Sequence, residues 1–305
     1  MATTGTIRIR SISDFHKARG VPPPAHPLIS VVDYAKMKSS DVDKAPGLLF
    51  DFYLISVKRG MDGKMRYGQQ SYDFDEGVMF FMAPNQLLKV HQGQGSQTRQ
   101  GWLLLIHPDF LWNTSLAKSI RHYDYFDYAV NEALFLSEKE EQVMNDIVSR
   151  IRQEYADNID TFSKQIIVSQ LEVLLNYAER FYHRQFITRE KANHQIIDKL
   201  EKLLNDYFNR EDLVHAGLPS VQDISDSLNV SPVYLRSLLK TLTGQNTQQH
   251  IHEKLIEKAK EKLTTTNLTV SEIAYELGFE HPQSFSKLFK TKTKLSPLEF
   301  RESFN

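Results

Sequence analysis

The sequence contains no cysteine among its 305 residues. Disulfide bonds, thiolate nucleophiles and cysteine-ligated zinc are therefore excluded, although the absence of cysteine does not by itself identify a redox compartment. Also absent is any run of about 18 apolar residues, the length that a transmembrane helix requires. The N-terminal segment MATTGTIRIR lacks the apolar stretch of a secretory signal. We therefore expect a cytoplasmic protein without a membrane partner.

Net charge is almost absent too, because 37 Lys and Arg stand against 38 Asp and Glu, which gives a formal charge of -1 at pH 7. Nucleic-acid-binding proteins commonly carry a basic excess, so the whole chain gives no sign of a polyanion partner. From Ser231 onward, however, Lys and Arg outnumber the acids, and lysines cluster at positions 287, 290, 292 and 294. A polyanion would meet this end of the chain, although such runs also occur on solvated helix faces.

The N-terminal third has the pattern of short β-strands. Residues 48–58, 78–82 and 102–106 are rich in β-branched and aromatic side chains, and glycine or proline breaks separate them. Many short strands with regular breaks are typical of a sandwich or a small barrel. The chain is longer than a usual single domain, so two domains are expected, the second of them after these strands.

Two helices are predicted next. Residues 137–140 form a capping box ahead of apolar residues at four-residue spacing, and a second helix is predicted over residues 161–185. The second helix carries a broad apolar stripe, formed by Ile166, Ile167, Leu171, Leu174, Leu175, Ala178, Phe181 and Tyr182. Such a stripe fits either packing on the β domain or a dimer interface. The polar stretch 186–194 then links to the next domain as a helix or a short coil.

The C-terminal region contains an internal repeat. Residues 221–229 align with 270–278, and after one extra residue in the second copy, 232–240 align with 282–290. Each copy predicts a helix, a tight turn and a second helix. Asn229 and Gly278 tolerate a left-handed conformation at the turn, and Pro232 and Pro282 suit the first position of the next helix.

The second helix of each copy has one apolar and one polar face. Leu235, Leu238 and Leu239, and likewise Phe285, Leu288 and Phe289, fall on one side. The opposite side carries Val233, Arg236, Ser237, Gln283, Ser284, Ser286 and Lys287. A polar helix face of this kind fits the major groove of B-DNA, which is about 12 Å wide. Lys240 and Lys290, one turn further on, would meet phosphates or water. A single helix predicted over residues 249–263, roughly 22 Å long, could hold the two copies on successive major grooves.

Three ordered motifs in residues 273–279, 284–290 and 296–301 resemble the signature of the AraC/XylS family, and residues 234–235, 240–244 and 257–260 resemble its first motif and connector. The resemblance covers about residues 195–303. This chain departs from the family pattern at Leu255, where an arginine is usual, and at Lys294, where a glycine is usual.

The resemblance implies an α+β chain, with a cupin-like N-terminal β-barrel over residues 1–135, a helical dimerisation or linker segment over 136–187, and an all-α double helix-turn-helix DNA-binding domain over 188–305. It implies a sequence-specific transcription regulator and not an enzyme, and we hypothesise that the regulator is an activator. The expected partners are promoter double-stranded DNA, RNA polymerase, a second copy of the chain and a small-molecule effector. The DNA contacts carried over are Val233, Tyr234, Arg236, Ser237, Gln283, Ser284, Ser286 and Lys287, with Lys240 and Lys290 beside them.

The alternative is a cupin-type enzyme with an attached helical domain. Cupin metal sites use clustered histidines with a glutamate, and residues 1–135 contain no H-x-H followed by an acid. No metal, cofactor or catalytic residue is therefore expected. Candidates for lining a ligand pocket are Phe50, Phe52, Tyr53, Phe80, Phe81, His91 and Trp102, although aromatics on alternating strands also form ordinary cores. Residues 123–128 fit either a lid over such a pocket or a loop packed on the side of the domain.

Overall fold

The computed structural model describes residues 6–40, 42, 45–59, 66–67, 70–71, 77–89, 100–129, 132–156, 160–210 and 212–303. The chain divides into two units, Met1–Gln185 and Phe186–Asn305. The first unit combines strands with helices, and the second is helical. The α+β class and the helical C-terminal domain expected from the sequence are therefore confirmed.

The described strands of the first unit form two sheets and a short hairpin. Their bounds are β1 (Ile7–Ile9), β2 (Ile29–Asp33), β3 (Gly47–Phe50), β4 (Tyr53–Arg59), β5 (Arg66–Tyr67), β6 (Gln70–Ser71), β7 (Gly77–Met82), β8 (Leu87–Lys89), β9 (Gln100–Ile106) and β10 (Leu134–Leu136). One sheet has the order β10-β7-β4-β9-β2, a second has the order β1-β3-β8, and β5 pairs with β6. The segment 48–58, which reads as one strand, is divided between the two sheets.

The two larger sheets share a core. Leu48 and Phe50 of β3 pack in one cluster with Leu54 of β4 and Leu105 of β9, and Phe15 of helix α1 (Ile12–Arg19) joins them. The strands β10 and β2 end the five-stranded sheet and do not pair with each other in the described ranges, so this sheet is open. The closed barrel expected from the family resemblance is thus not seen in the described residues.

The opposite face of the five-stranded sheet is covered by aromatic side chains and helices. Phe81 of β7 contacts Tyr125 at a centroid distance of 4.4 Å, and Tyr125 stacks on Tyr182 at 5.5 Å. The Tyr125 hydroxyl donates to the carbonyl of Leu175 at 2.8 Å. Since β4 lies between two covered faces, Leu54, Ile55, Ser56 and Val57 are all buried, which explains why its sequence is almost continuously apolar. Residues 123–128, with Tyr125 and Phe126 buried, pack on this side of the unit.

Two long helices follow the strands, α3 (Glu138–Ala156) and α4 (Ser163–Thr188), after the short α2 (Leu116–Ser119). The backbone amide of Ser137 donates to the Glu140 carboxylate at 2.9 Å, and the amide of Glu140 donates to the Ser137 hydroxyl at 3.4 Å, so the predicted capping box is present. Helix α3 also reaches the edge strand β2, because the Tyr155 hydroxyl accepts a hydrogen bond from the amide of Val31 at 2.8 Å.

The apolar stripe of α4 is largely core of the chain itself. Leu171 and Leu174 are 0% exposed and Leu175 is 1% exposed. The outward side of the same helix nevertheless exposes Ile166 (43%) and Val173 (42%), and Phe162 just ahead of it is 70% exposed. Ile166 is therefore separate from the buried stripe to which the sequence pattern assigned it.

The second unit is built from helices of four to 19 residues. Their bounds are α5 (Glu190–Phe208), α6 (Leu213–Ala216), α7 (Val221–Leu228), α8 (Pro232–Thr243), α9 (Thr247–Thr265), α10 (Val270–Glu276), α11 (Pro282–Thr293) and α12 (Pro297–Glu302). The link between the domains is helical up to Thr188 and from Glu190, with Arg189 at the break (φ -87°, ψ 44°). None of the helices in the described ranges is long and apolar enough to cross a membrane.

Candidate nucleic-acid interface

Both copies of the repeat are helix-turn-helix units with the same turn geometry. The amide of Val230 donates to the carbonyl of Ser225 at 3.1 Å, and at the matching place the amide of Phe279 donates to Ala274 at 3.0 Å. Asn229 has φ 57° and Gly278 has φ 85°. These are the bonds and the left-handed residue of a Schellman turn. The predicted turns are thus present.

Reciprocal capping boxes begin the first helix of each copy. Ser220 and Asp223 form the box at α7, and Thr269 and Glu272 form it at α10. The Thr269 amide donates to the Glu272 carboxylate at 2.7 Å. Hydrogen bonds from the backbone and side chain of Thr269 lower the pKa of Glu272 below its ordinary value, so the carboxylate is ionised and faces the positive end of the helix dipole.

Gly278 meets a second requirement besides its positive φ. A Cβ at this position would lie 2.8 Å from the backbone of Gly217, which follows α6. The Gly217 carbonyl is itself held by the Tyr207 hydroxyl at 3.1 Å. The second turn therefore packs directly on the backbone between α6 and α7, and only glycine leaves room for that approach.

Helix α8 presents the first predicted reading face. Leu235, Leu238 and Leu239 are fully buried. Of the residues assigned to the opposite face, Arg236 and Lys240 are exposed, while Val233 and Ser237 are half-buried. The Lys240 ammonium donates to the carbonyl of Gly244 at 2.8 Å and so also closes the end of its own helix.

Tyr234 differs from the other residues assigned to α8. Its side chain is only 9% exposed, and its ring meets the edge of Phe186 at a centroid distance of 5.3 Å. The structure gives Tyr234 a packing contact between α8 and the start of the second unit. Its assignment as a DNA contact stays a prediction.

Helix α11 presents the second predicted reading face and is more open than the first. Phe285 and Phe289 are 0% exposed, whereas Leu288, predicted to pack beside them, is half-buried. Gln283, Ser284, Lys287 and Lys290 are exposed and Ser286 is half-buried. The structure therefore places the polar residues of this copy on one accessible helix side, as the sequence pattern predicts.

One residue near this face was missed by sequence reasoning. His281 is exposed at the N-cap of α11, immediately before Pro282, and its side chain makes no capping hydrogen bond. The N-terminal end of a recognition helix is the part that meets base edges in helix-turn-helix complexes. Its place directly before Pro282, the first residue of the predicted helix, is the sequence signal that could have identified it.

The connector is longer than predicted. Helix α9 has 19 residues, or about 28 Å at 1.5 Å per residue. Leu255, the departure from the family pattern, is 0% exposed and belongs to the core along this helix. Lys294, the other departure, has φ 69° at the end of α11 and thus adopts the conformation in which glycine is favoured.

The residues predicted to line a ligand pocket in the first unit are mostly core. Phe50, Phe52, Phe81 and Trp102 are buried, and Tyr53 and Phe80 are half-buried; His91 lies outside the described residues. A cavity of about 440 Å³ lies where the sheet edge meets α3, and Trp102 is the one described residue of the predicted set in its lining, together with Asp33, Arg59, Glu141 and Arg152. The Glu141 carboxylate, 4% exposed, is paired with Arg59 at 2.7 Å.

In the described ranges no three His, Asp or Glu side chains are grouped as a metal site would require.

Comparison with known proteins supports the assignment of the second unit. Residues 224–303 match a family model described as "Helix-turn-helix domain". A 140-residue segment is 30% identical to the uncharacterized transcriptional regulatory protein YesN of Bacillus subtilis, covering 45% of this chain and 37% of YesN. An 84-residue segment is 34% identical to the raffinose operon transcriptional regulatory protein RafR of Pediococcus pentosaceus, covering 28% of this chain and 30% of RafR.

Among solved structures, the C-terminal domain of AraT, a response regulator from Geobacillus stearothermophilus, is 29% identical, with 35% of this chain and 84% of that chain covered and a TM-score of 0.31. The matched segments span only 37% and 30% of the two curated relatives. Residues 224–303 thus match a helix-turn-helix domain family, and YesN and RafR, to which the chain is similar, are named as transcriptional regulatory proteins.

Proposed function

We propose that the protein is a sequence-specific DNA-binding transcription regulator that acts as an activator. The observation that carries the proposal is the pair of helix-turn-helix copies in one unit, each with a buried apolar face and an accessible polar face on its second helix. The regulators YesN and RafR, to which the chain is similar, support it. Both of these relatives are named as regulators, which does not favour the enzyme alternative.

In this proposal α8 and α11 enter successive major grooves of one duplex. Arg236 and Gln283 hydrogen-bond base edges near the starts of their helices, with Val233, Ser237, Ser284, Ser286 and Lys287 beside them. Lys240 and Lys290 meet phosphates, which set position and not sequence. Tyr234 contributes by packing α8 in place.

The first unit is proposed to be a cupin-like sensor of a small effector. The cavity beside α3 has two arginines and two carboxylates in its lining, so a polar effector suits it better than an apolar one. Activation further requires contact with RNA polymerase, and exposed apolar side chains of the second unit, Tyr275 (46%) and Leu298 (58%), are available to a protein partner.

A second copy of the chain is the proposed partner of the outward side of α4. Phe162, Ile166 and Val173 recur there at four- and seven-residue spacing, as in the seam of paired helices. Ile166→Glu with Val173→Glu should give a monomer by light scattering, whereas Leu171→Glu should unfold the unit, because Leu171 is core. A dimer that survives the double substitution would place the interface elsewhere.

The proposed function is tested with the full-length protein by selecting binding sites from a random duplex pool. An enriched motif with two half-sites is expected, and binding should weaken steeply with salt through counterion release. The double variant Arg236→Ala, Gln283→Ala should lose the motif. Arg210→Ala with Gln248→Ala changes the same residue types at exposed positions outside α8 and α11 and should retain it. No enrichment, together with no duplex binding at low salt, would refute the proposal.

A further inference from the structure

The repeat in the second unit extends to a third helix in each copy. Asn246 and Gln249 form a capping box at the start of α9, and Ser296 and Glu299 form one at the start of α12. The Asn246 amide donates to Gln249 at 2.8 Å, and the Ser296 amide donates to Glu299 at 2.6 Å. The two boxes are separated by fifty residues, as are the starts of α8 and α11. Each copy therefore consists of a helix-turn-helix and a capped third helix.

The two third helices then differ in what they do. Helix α12 has six residues, whereas α9 continues for 19 and leads into the second copy. Helix α9 contacts α5 and α8 as well as α10 and α12. One helix thus packs on both copies. The placement of α11 relative to α8 therefore depends on the contacts that hold the C-terminal end of α9 against the second copy.

Arg301 of α12 holds the C-terminal end of α9 through hydrogen bonds. Its Nε donates to the carbonyl of Leu263 at 3.0 Å, and its Nη2 donates to the carbonyl of Leu268 at 2.7 Å. Leu263 lies in the last turn of α9, where carbonyls have no partner within the helix, and Leu268 lies in the segment that enters α10. One planar guanidinium with several donors thus spans both sides of the bend between the copies.

Two more contacts hold the same joint. The Lys262 ammonium lies 2.7 Å from the Glu276 carboxylate of α10. Phe300 meets Phe289 of the reading helix α11 at a centroid distance of 5.5 Å, and Lys260 of α9 lies 5.7 Å above the Phe300 ring. Arg301 is therefore next to a residue that packs on both α9 and α11.

The first copy has no counterpart of this arginine. Fifty residues before Arg301 stands Ile251, which is 1% exposed in the core. The hydrogen bonds from Arg301 to Leu263 and Leu268 thus belong to the connection between the two copies and are not part of each helix-turn-helix.

We propose that Arg301 is a positioning residue that sets the distance and angle between α8 and α11, so that the protein reads two half-sites at one spacing. The inference rests on the proposed function for its DNA consequence, but its structural part can be measured without DNA. Arg301→Met removes the donors and retains an aliphatic stem. Arg210→Met is the matched control, because Arg210 is exposed and forms its ion pair with Asp212, two residues away.

The DNA-free measurement uses spin labels on Lys240→Cys and Lys290→Cys in the full chain, which has no native cysteine to interfere. Double electron–electron resonance should give a narrow distance distribution in the parent and in Arg210→Met, and a broader or shifted one in Arg301→Met. An unchanged distribution would overturn the proposal. If Arg301→Met loses cooperative folding, Arg301→Lys takes its place; loss of folding in both would assign Arg301 to stability and also overturn it.

The DNA measurement compares duplexes whose selected half-sites are separated by the selected spacing or by one or two base pairs more or less. The parent and Arg210→Met should bind the altered spacings at least about tenfold more weakly, since half-site spacing follows from protein geometry, and Arg301→Met should reduce that penalty to about threefold or less. An equal loss of affinity at every spacing would refute a positioning role. A parent that selects no duplex would refute the proposed function instead, while the label distances would still decide the role of Arg301.

Discussion

The two helix-turn-helix copies close their turns with matching hydrogen bonds but treat the ends of their second helices differently. In the first copy Ser231 caps α8 by accepting from the Tyr234 amide at 3.2 Å, and Gly244 ends the helix with φ 75°. In the second copy His281 and Lys294 occupy those positions, the first without a side-chain cap and the second at φ 69°. The first copy follows local helix rules at both ends, whereas the second has a histidine without a capping hydrogen bond at one end and a left-handed lysine at the other.

Charge follows the same division. Helix α8 contains Arg236 and Lys240, whereas α11 contains Lys287, Lys290 and Lys292 and is followed by Lys294. Departures from local stability rules are common at functional sites. The comparison therefore indicates that the ends of α11 are less stable than those of α8, and that α11 carries more lysines near the proposed duplex.

The largest expected effect concerns two glycines at positive φ, Gly278 in the second turn and Gly244 at the end of α8. Gly278→Ala should destabilise the protein by about 3 kcal/mol or more, because backbone strain adds to a clash with Gly217. Gly244→Ala carries similar strain at φ 75°, but nothing lies within 4 Å of the added Cβ, so a loss of about 1 kcal/mol is expected. Urea unfolding of both variants measures the difference. Equal losses would mean that the contact with Gly217 is not tight.

Next come the reading faces, where each copy should read its own base pairs. Arg236→Ala and Gln283→Ala should each reduce discrimination by about 1–3 kcal/mol, at positions roughly one duplex turn apart. Lys290→Ala should weaken all duplexes alike and lower the salt slope by about one unit. Site selection with each variant provides the measurement. If Arg236→Ala leaves the motif unchanged while Gln283→Ala alters it, only the second copy reads bases.

Substitutions at the two N-cap positions should change the stability of the protein in opposite directions. Ser231→Ala should cost about 1 kcal/mol by removing a capping acceptor, and His281→Ser should raise stability by about 0.5–1 kcal/mol by supplying one. Thermal unfolding of the two variants measures both changes. A destabilised His281→Ser would show that the histidine makes a contact worth more than a cap.

The smallest effect is expected at Lys294. Replacing it with glycine relieves a left-handed lysine but increases the freedom of the unfolded chain, so the gain should lie between zero and about 1 kcal/mol. Asn229→Gly at the turn of the first copy is the control and should bring no gain, since asparagine tolerates this conformation. Both are measured by urea unfolding. A marked loss for Lys294→Gly would contradict the positive φ, and weaker DNA binding at equal stability would make Lys294 a phosphate contact.

The features that could be predicted from the sequence are those set by near neighbours in the chain. The capping box at Ser137 and the turns at Asn229 and Gly278 depend on residues within one or two turns. A glycine-like turn at Lys294 was expected only from the residue usual at that place in the AraC/XylS family. The alternation of buried leucines with Arg236 and Lys240 on α8 follows from helical period alone.

The rest depends on pairs that are distant in sequence. Nothing near β1 indicates that it pairs in parallel with β3, and nothing near Leu171 distinguishes a core residue from a dimer contact. Arg301 lies 38 and 33 residues from the carbonyls it holds, so its role was visible only once α9 and α12 were in place. Half-burial of Leu288 and burial of Tyr234 likewise depend on which helices pack beside them.

The hydrogen bond from Val31 to the Tyr155 hydroxyl has a consequence for solubility. Strand β2 ends the five-stranded sheet, and the outward amides of such a strand can recruit a strand from another molecule. The Tyr155 hydroxyl of α3 accepts a hydrogen bond from one of these amides, that of Val31 in the middle of β2. Edge-to-edge growth of the sheet is thereby obstructed by a side chain that lies 124 residues further along the same polypeptide.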